Sequence, residues 1–396
     1  MRFVGTHNSE VIRNMNHMVK LLGRSRSSFG KSSGIATVVV ALVVVVIILA
    51  VSLGYVALIK TTTATSATTT TTTSVPSTYP LLLYSADSQV NESSVLESAF
   101  HASTNISVVT AEEAGSGADA ALIAAGDPVS IFLSISHSSV ENSSLGSEYP
   151  GWAIALAGDQ FGIAYTSTST TTTAAKAVLT AYNTASASNS TSAWYDFFNN
   201  LTSGAVKVGI ADPVTDPAGY RGWLTLELAG IAYDGGVANE QYFANRMLTN
   251  DANVTGASAA ALVPALETGA INFLFYYKSA ITSGGLDLIQ LANPVNLGLV
   301  ADNTWYGQAS YTVSPTDIET ASAIRIWITV PKDSTNPTSS VNFVVFVVEN
   351  YATLLKPFQL LDFTPAQLYN DTGYTVPTPI AALLSSGTLV DDGALS

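Results

Sequence analysis

From residue 79 onward, short apolar runs alternate with polar turns and amphipathic stretches. Residues 81–84 read as a strand, 85–88 as a turn and about 92–102 as a helix. A second strand is predicted at 106–110, a turn at 115–117, a helix at 118–125 stopped by Gly126, and a third strand at 129–136. Residues 152–166 carry two strand-like pieces and a turn, 166–173 a polar surface loop, and 183–201 a polar loop followed by a short aromatic helix. Residues 206–210 are strand-like, and Asp216 and Pro217 are the residue types favoured at a helix N-cap and first turn. Behind them Trp223, Leu224, Leu226, Leu228, Ala229 and Ile231 recur at broadly helical spacing. A helix capped by Ser258 runs to about 268, and a strand covers 270–277. Residues 286–291, 311–313 and 323–330 are strand-like, 341–351 suit a helix or a buried strand, and the tail from about 384 reads as disordered. Alternating strands and helices predict an α/β architecture with a mostly parallel sheet, where ligands sit beyond the carboxyl ends of strands.

The first 78 residues follow a different pattern. Residues 35–59 are a nearly unbroken apolar run of about 25 residues, enough to span a bilayer core of ~30 Å with some tilt. Basic residues precede it and none lies between Lys60 and Lys176, which puts the N-terminus inside and everything after Lys60 outside. The expected organisation is a cytoplasmic basic tail (1–33), a single transmembrane helix or signal anchor (34–59) and a Thr-rich linker (60–78) that cannot bury a core. A second reading is prepilin-type processing at Lys31-Ser32-Ser33, which would leave the apolar segment on the mature chain. Asn-x-Ser/Thr sequons beyond the linker fit an external, glycosylated face at the cell membrane.

Composition narrows the chemistry. With 396 residues and 47% apolar content the chain can bury a core of two domains. There is no Cys and only four His, so thiolate or His-based metal sites and a Ser-His-Asp triad are poorly supported. Neither a resident cofactor nor an enzyme is expected, because no nucleophile–base pair or metal constellation stands out. Net charge is −14, and beyond Lys60 there are 8 basic against 28 acidic residues. That balance argues against nucleic acid as a partner. It also means an anion site must rely on neutral donors and helix ends.

Residues 206–233 have the order strand, tight loop, helix N-terminus, an anion-binding geometry because the first amides of a helix lack partners. The alternative is that Asp216 only caps a core helix. Ser88 and Ser116 sit at the ends of predicted strands beside helix starts, where each is a candidate hydroxyl donor or a plain cap or turn residue.

Three pieces together resemble molybdate/tungstate-binding proteins of ABC importers, in the archaeal manner. They are Lys207 to Arg221 (KVGIADPVTDPAGYR), Gly269 to Ser279 (GAINFLFYYKS), and Ser85-Ala-Asp-Ser88 with Glu113-Ala-Gly-Ser116-Gly. The stretch ITVPK from Ile328 extends the likeness, which covers roughly residues 79–385. The resemblance implies a type II periplasmic-binding-protein fold, with lobe one at 79–155 and 285–396, lobe two at 156–284, and hinge segments near Ala157-Gly158 and within 277–291. It implies oxyanion contacts from Ser88 and Ser116 in lobe one and from Asp216, Tyr276 and Tyr277 in lobe two. It also implies delivery to an ABC permease with its ATPase subunits. Where archaeal relatives carry a Glu in a FEYKS motif, this chain has Tyr276, which favours a tetrahedral site over six-coordination. Such a dianion needs donors only, which hydroxyls and amides supply. Sulfate or phosphate on the same fold, or a non-binding structural surface component, remain alternative readings.

Overall fold

A computed structural model describes residues 79–395. The expected basic tail, membrane segment and Thr-rich linker lie outside the described residues. Among the described residues no helix is long and apolar enough to cross a membrane.

Fourteen strands are present among the described residues. In chain order they are β1 (Leu81–Ala86), β2 (Val108–Ala114), β3 (Ile131–Ser134), β4 (Trp152–Gly158), β5 (Phe161–Tyr165), β6 (Val208–Ala211) and β7 (Asn253–Gly256). They continue with β8 (Phe273–Tyr277), β9 (Asp287–Gln290), β10 (Ser310–Ser314), β11 (Asp317–Thr320), β12 (Arg325–Thr329), β13 (Leu361–Asn370) and β14 (Leu389–Asp391). A seven-stranded sheet has the order β14-β13-β4-β12-β3-β1-β2, and a five-stranded sheet the order β7-β6-β8-β5-β9. β1 pairs parallel with β2 and β3, and β6 pairs parallel with β7 and β8. These sheets and their helices form the two α/β lobes that the resemblance implied.

The chain leaves the first sheet after β4, whose residues are all buried, and enters the second at β5. The expected lobe boundary at 284/285 is corrected. β9 pairs antiparallel with β5, so the second lobe extends through Gln290 before the chain returns.

The organising helix of lobe two is Pro217–Tyr233. It is buried on nearly every face, from Pro217 to Ile231. It packs on β6 and β8, on the helices Thr191–Leu201 and Tyr242–Thr249, and on β10. A helix so enclosed has no need of an amphipathic stripe.

Four local expectations change. Residues 183–188 are not loop but the end of a helix, Thr173–Ser188. There the hydroxyls of Thr180, Thr184 and Ser188 bond back to carbonyls four residues earlier, so polar side chains are satisfied within the helix. The tail is ordered as the helix Thr378–Ser386 and β14, which pairs parallel with β13. Ser85 and Ala86 complete β1, and only Asp87–Gln89 turn, as one 3-10 turn leading into the helix Val90–Thr104. Within the polar tract 166–173, Ser169 and Thr170 are buried, and the Ser169 hydroxyl donates to the Asn272 carbonyl at 2.8 Å. Residues 341–351 are helical, inside Pro337–Leu354.

Candidate functional site

The carboxyl ends of the parallel strands in the two sheets meet. From lobe one, β1 delivers Asp87 and Ser88, and β2 delivers Gly115 as the N-cap of the helix Ser116–Ala124. The Ser88 hydroxyl is buried and has no hydrogen-bond partner among the described residues. Ser116 is also buried, but its hydroxyl accepts the Ile135 amide at 3.0 Å, tying this helix start to the end of β3.

From lobe two, β6 leads through residues 212–215 to Asp216, the N-cap of the Pro217–Tyr233 helix. Asp216 Oδ1 accepts the Ala218 amide at 2.8 Å. Its Oδ2 accepts the Ala259 amide at 2.7 Å, at the start of the helix Ala259–Glu267. One carboxyl therefore caps its own helix and accepts the first amide of a second, whose N-cap is Ser258. At the end of β8, Tyr276 and Tyr277 are both buried on opposite faces of the strand. Tyr276 lines a small cavity of about 140 Å³ together with Asp87 and Ser88. On the other face, the Tyr277 hydroxyl accepts from Arg221 Nη1 at 2.6 Å.

The lobes touch through these same groups. The Ala118 amide donates to the Thr215 carbonyl at 3.2 Å, and the Ala260 amide to Asp87 Oδ2 at 3.2 Å. Ser136 and Tyr220 share a hydroxyl–hydroxyl bond of 3.0 Å. At Gly115 a Cβ would lie 2.3 Å from the Thr215 carbonyl oxygen, so only glycine permits this approach. Helix starts of lobe one thus abut helix starts of lobe two. The positive dipole ends of these helices collect at one interlobe point.

Acidic groups converge there as well, and burial decides their state. Burial, and then the charge of Asp87, push Asp216 up to about 8. Burial raises Asp87 too, against the hydrogen bonds from Ser258 and the Ala260 amide. Asp119 is pushed up to about 9 by burial first and by the charges of Glu112 and Asp87 next. Burial thus favours the protonated form of Asp216 and Asp119, and a protonated carboxyl can donate a hydrogen bond where a carboxylate cannot. Among the described residues no group of three or more His, Asp or Glu is arranged to hold a metal ion.

Of the five residues singled out from the sequence, Ser88 and Tyr276 share the small cavity, and Asp216 lines a larger one of about 520 Å³. Ser116 and Tyr277 line neither, though Gly117 and Arg221 beside them line the larger. Sequence reading missed Asp87, Asp119, Arg221 and Asp159. Asp87 and Arg221 stand inside the quoted motifs, so their positions were in view and their orientation was not. Asp159 sits in the crossover between β4 and β5, where its Oδ2 accepts the Ser279 hydroxyl at 2.7 Å. That contact joins the crossover to the end of β8. No local pattern announces it.

Two lobes meeting at strand ends and helix starts, with cavities between them, describe a binding protein. The chain belongs to the bacterial extracellular solute-binding protein family, whose profile matches residues 81–352. It is 33% identical over 289 residues to a solute-binding protein of Saccharolobus solfataricus, covering 71% of this chain and 70% of that one. It is 26% identical over 189 residues to the molybdate/tungstate-binding protein WtpA of Thermococcus kodakarensis, covering 41% of this chain and 54% of WtpA. The periplasmic molybdate-binding protein of Azotobacter vinelandii superposes with a TM-score of 0.48 at 15% identity, over 75% of this chain and 100% of that one. The likeness to molybdate/tungstate-binding proteins read from the motifs returns in WtpA.

Proposed function

We propose that the protein captures a tetrahedral oxyanion, molybdate or tungstate, between its lobes outside the cell and hands it to an ABC importer. On this reading Ser88, Ser116, Asp216, Tyr276 and Tyr277 surround the anion, and residues 34–59 hold the protein at the membrane. The observation that carries the reading is the pairwise meeting of helix starts from both lobes around buried carboxyls. Amide, hydroxyl and carboxyl O–H groups all donate, as a fully ionised oxyanion requires. The partnerless Ser88 hydroxyl supplies a donor that no protein group uses. The relative named for molybdate and tungstate narrows the anion. Tyr276, where a coordinating Glu would stand, supports tetrahedral binding.

Titration calorimetry of the full-length protein with tungstate, molybdate, sulfate and phosphate tests this. Saturable heat with the first two and much weaker heat with the others is the expected result. Preference for sulfate or phosphate moves the ligand within the oxyanions. No heat with any of the four, from protein shown to be folded, overturns the reading and favours a surface component that binds none of them.

A further inference from the structure

The larger interlobe cavity, about 520 Å³, has a chemistry of its own. Arg221 is its one Lys or Arg lining residue, and this side chain is only 7% exposed. Its Nη1 donates to Tyr277, and the rings of Tyr220 and Tyr277 lie 5.4 and 5.5 Å from its Cζ. Among the described residues Arg221 has no ion-pair partner within 4.0 Å. A guanidinium carries five N–H donors, and burying one without an anion is unfavourable.

A row of hydroxyls leads away from it. Tyr220 bonds Ser136 at 3.0 Å, Ser136 bonds Ser138 at 2.9 Å, and Ser138 donates to Glu319 Oε1 at 2.5 Å. Glu319 is carried by the β10–β11 hairpin, whose Tyr311 stacks on Trp223 of the Pro217–Tyr233 helix with ring centroids 6.2 Å apart. The wall therefore has a cationic end and an end that accepts hydrogen bonds.

We propose that this cavity is a separate subsite for a small, singly charged hydroxy acid. Arg221 and the Tyr220 hydroxyl take the carboxylate, and Glu319 accepts from the hydroxyl of the acid. The planar guanidinium matches a carboxylate two bonds at a time. One cation balances one negative charge. Glu141, Asp317 and Glu319 also line the cavity, so each further negative charge on a ligand meets more repulsion. The volume is within the range of small-molecule pockets. The subsite adjoins the residues of the oxyanion reading, because Asp216 lines this cavity and Tyr277 bonds Arg221, but Arg221, Tyr220 and Glu319 belong to it alone.

The test is calorimetry of the full-length protein with lactate, glycolate and acetate, with sulfate as the dianion control. Lactate or glycolate should bind saturably, acetate more weakly and sulfate not in this cavity. Arg221→Gln should weaken hydroxy-acid binding at least about tenfold, and Arg221→Lys by less, because charge remains but the fork is lost. Ser88→Ala, in the other cavity, should leave it unchanged. No saturable heat with either hydroxy acid, or unchanged affinity in folded Arg221→Gln, overturns the proposal. If Arg221→Gln does not fold, the wild type decides. Molybdate titrated into lactate-saturated protein keeps its affinity when the subsites are separate, and strict competition overturns the separation. Oxyanion binding without hydroxy-acid binding rejects this subsite alone, and the reverse result rejects only the oxyanion reading.

Discussion

Asp87 and Asp216, carried by opposite lobes, accept hydrogen bonds from consecutive amides at the start of one helix, Ala260 at 3.2 Å and Ala259 at 2.7 Å. Contact between the lobes thus brings two buried carboxyls onto the same helix end. The dipole there favours negative charge, yet desolvation is the largest influence on both groups and raises both.

Stability should fall as pH rises. Asp216 goes from 3.8 to about 8, Asp119 from 3.8 to about 9 and Glu92 from 4.5 to about 8 on folding. Their folded-state values lie above the unfolded ones, so the folded chain binds more protons in between. The contribution is full below about 4 and is lost as pH climbs through about 8 to 9. Melting temperatures measured from pH 5 to pH 9 should decline, and a flat or rising profile would contradict the buried, proton-holding state of these acids.

Oxyanion affinity should follow the same direction. On the oxyanion reading, loss of protons from Asp216 and Asp119 would turn donors into acceptors and set two negative charges near the dianion. Molybdate titrations at pH 6 and pH 9 should show weaker binding at pH 9. Equal affinity at both would place the anion away from these carboxyls.

Gly115→Ala should block lobe contact without unfolding the chain. The added Cβ would sit 2.3 Å from the Thr215 carbonyl oxygen and 2.6 Å from Asp216 Cα, both backbone atoms of the other lobe. The backbone at Gly115 is an ordinary extended conformation, so the substitution adds no strain inside its own lobe. Small-angle scattering should report a larger radius of gyration and calorimetry a loss of anion binding. A variant as compact and as tight-binding as wild type would rule out this contact as part of closure.

Asp216→Ala removes the cap of the Pro217–Tyr233 helix and the acceptor of the Ala259 amide, while Ser258 still caps the second helix. At about 1 kcal/mol for the cap and about 1 kcal/mol for the second hydrogen bond, unfolding in urea at pH 6 should show a loss of about 2 kcal/mol. An unchanged midpoint would mean that Asp216 stabilises neither helix start.

Ser88 and Ser116 should separate binding from stability. The Ser88 hydroxyl has no protein partner, so Ser88→Ala should leave stability nearly unchanged and weaken oxyanion binding by about 1.5–3 kcal/mol. Ser116→Ala strips the acceptor from the buried Ile135 amide and should also lower stability by about 1–3 kcal/mol. Calorimetry beside thermal melts checks both. Wild-type affinity in folded Ser88→Ala would remove that residue from the site.

Elements with strong local signals were legible in the sequence. Asp216-Pro217 opened its helix and Ser258 capped the next, because both side chains meet amides two or three residues away. The helix Thr173–Ser188 was hidden because most of its residues are polar or small. Tyr182, packed near Trp194 and Phe197, anchors it to the following helix. β14 was hidden because a three-residue strand exists only through its partner β13.

By itself the sequence determined the α/β alternation, the cap that starts the central helix, the motifs that identify the family and the surplus of acid over base. Each is local or compositional, so each can be read along the chain. Only the tertiary structure decided which lobe holds β9, that Asp87 shares a helix end with Asp216, and that Arg221 faces a cavity. Those relationships join residues tens to well over a hundred positions apart. Their protonation and partners depend on desolvation and contacts that exist only once both sheets have folded and their strand ends have met.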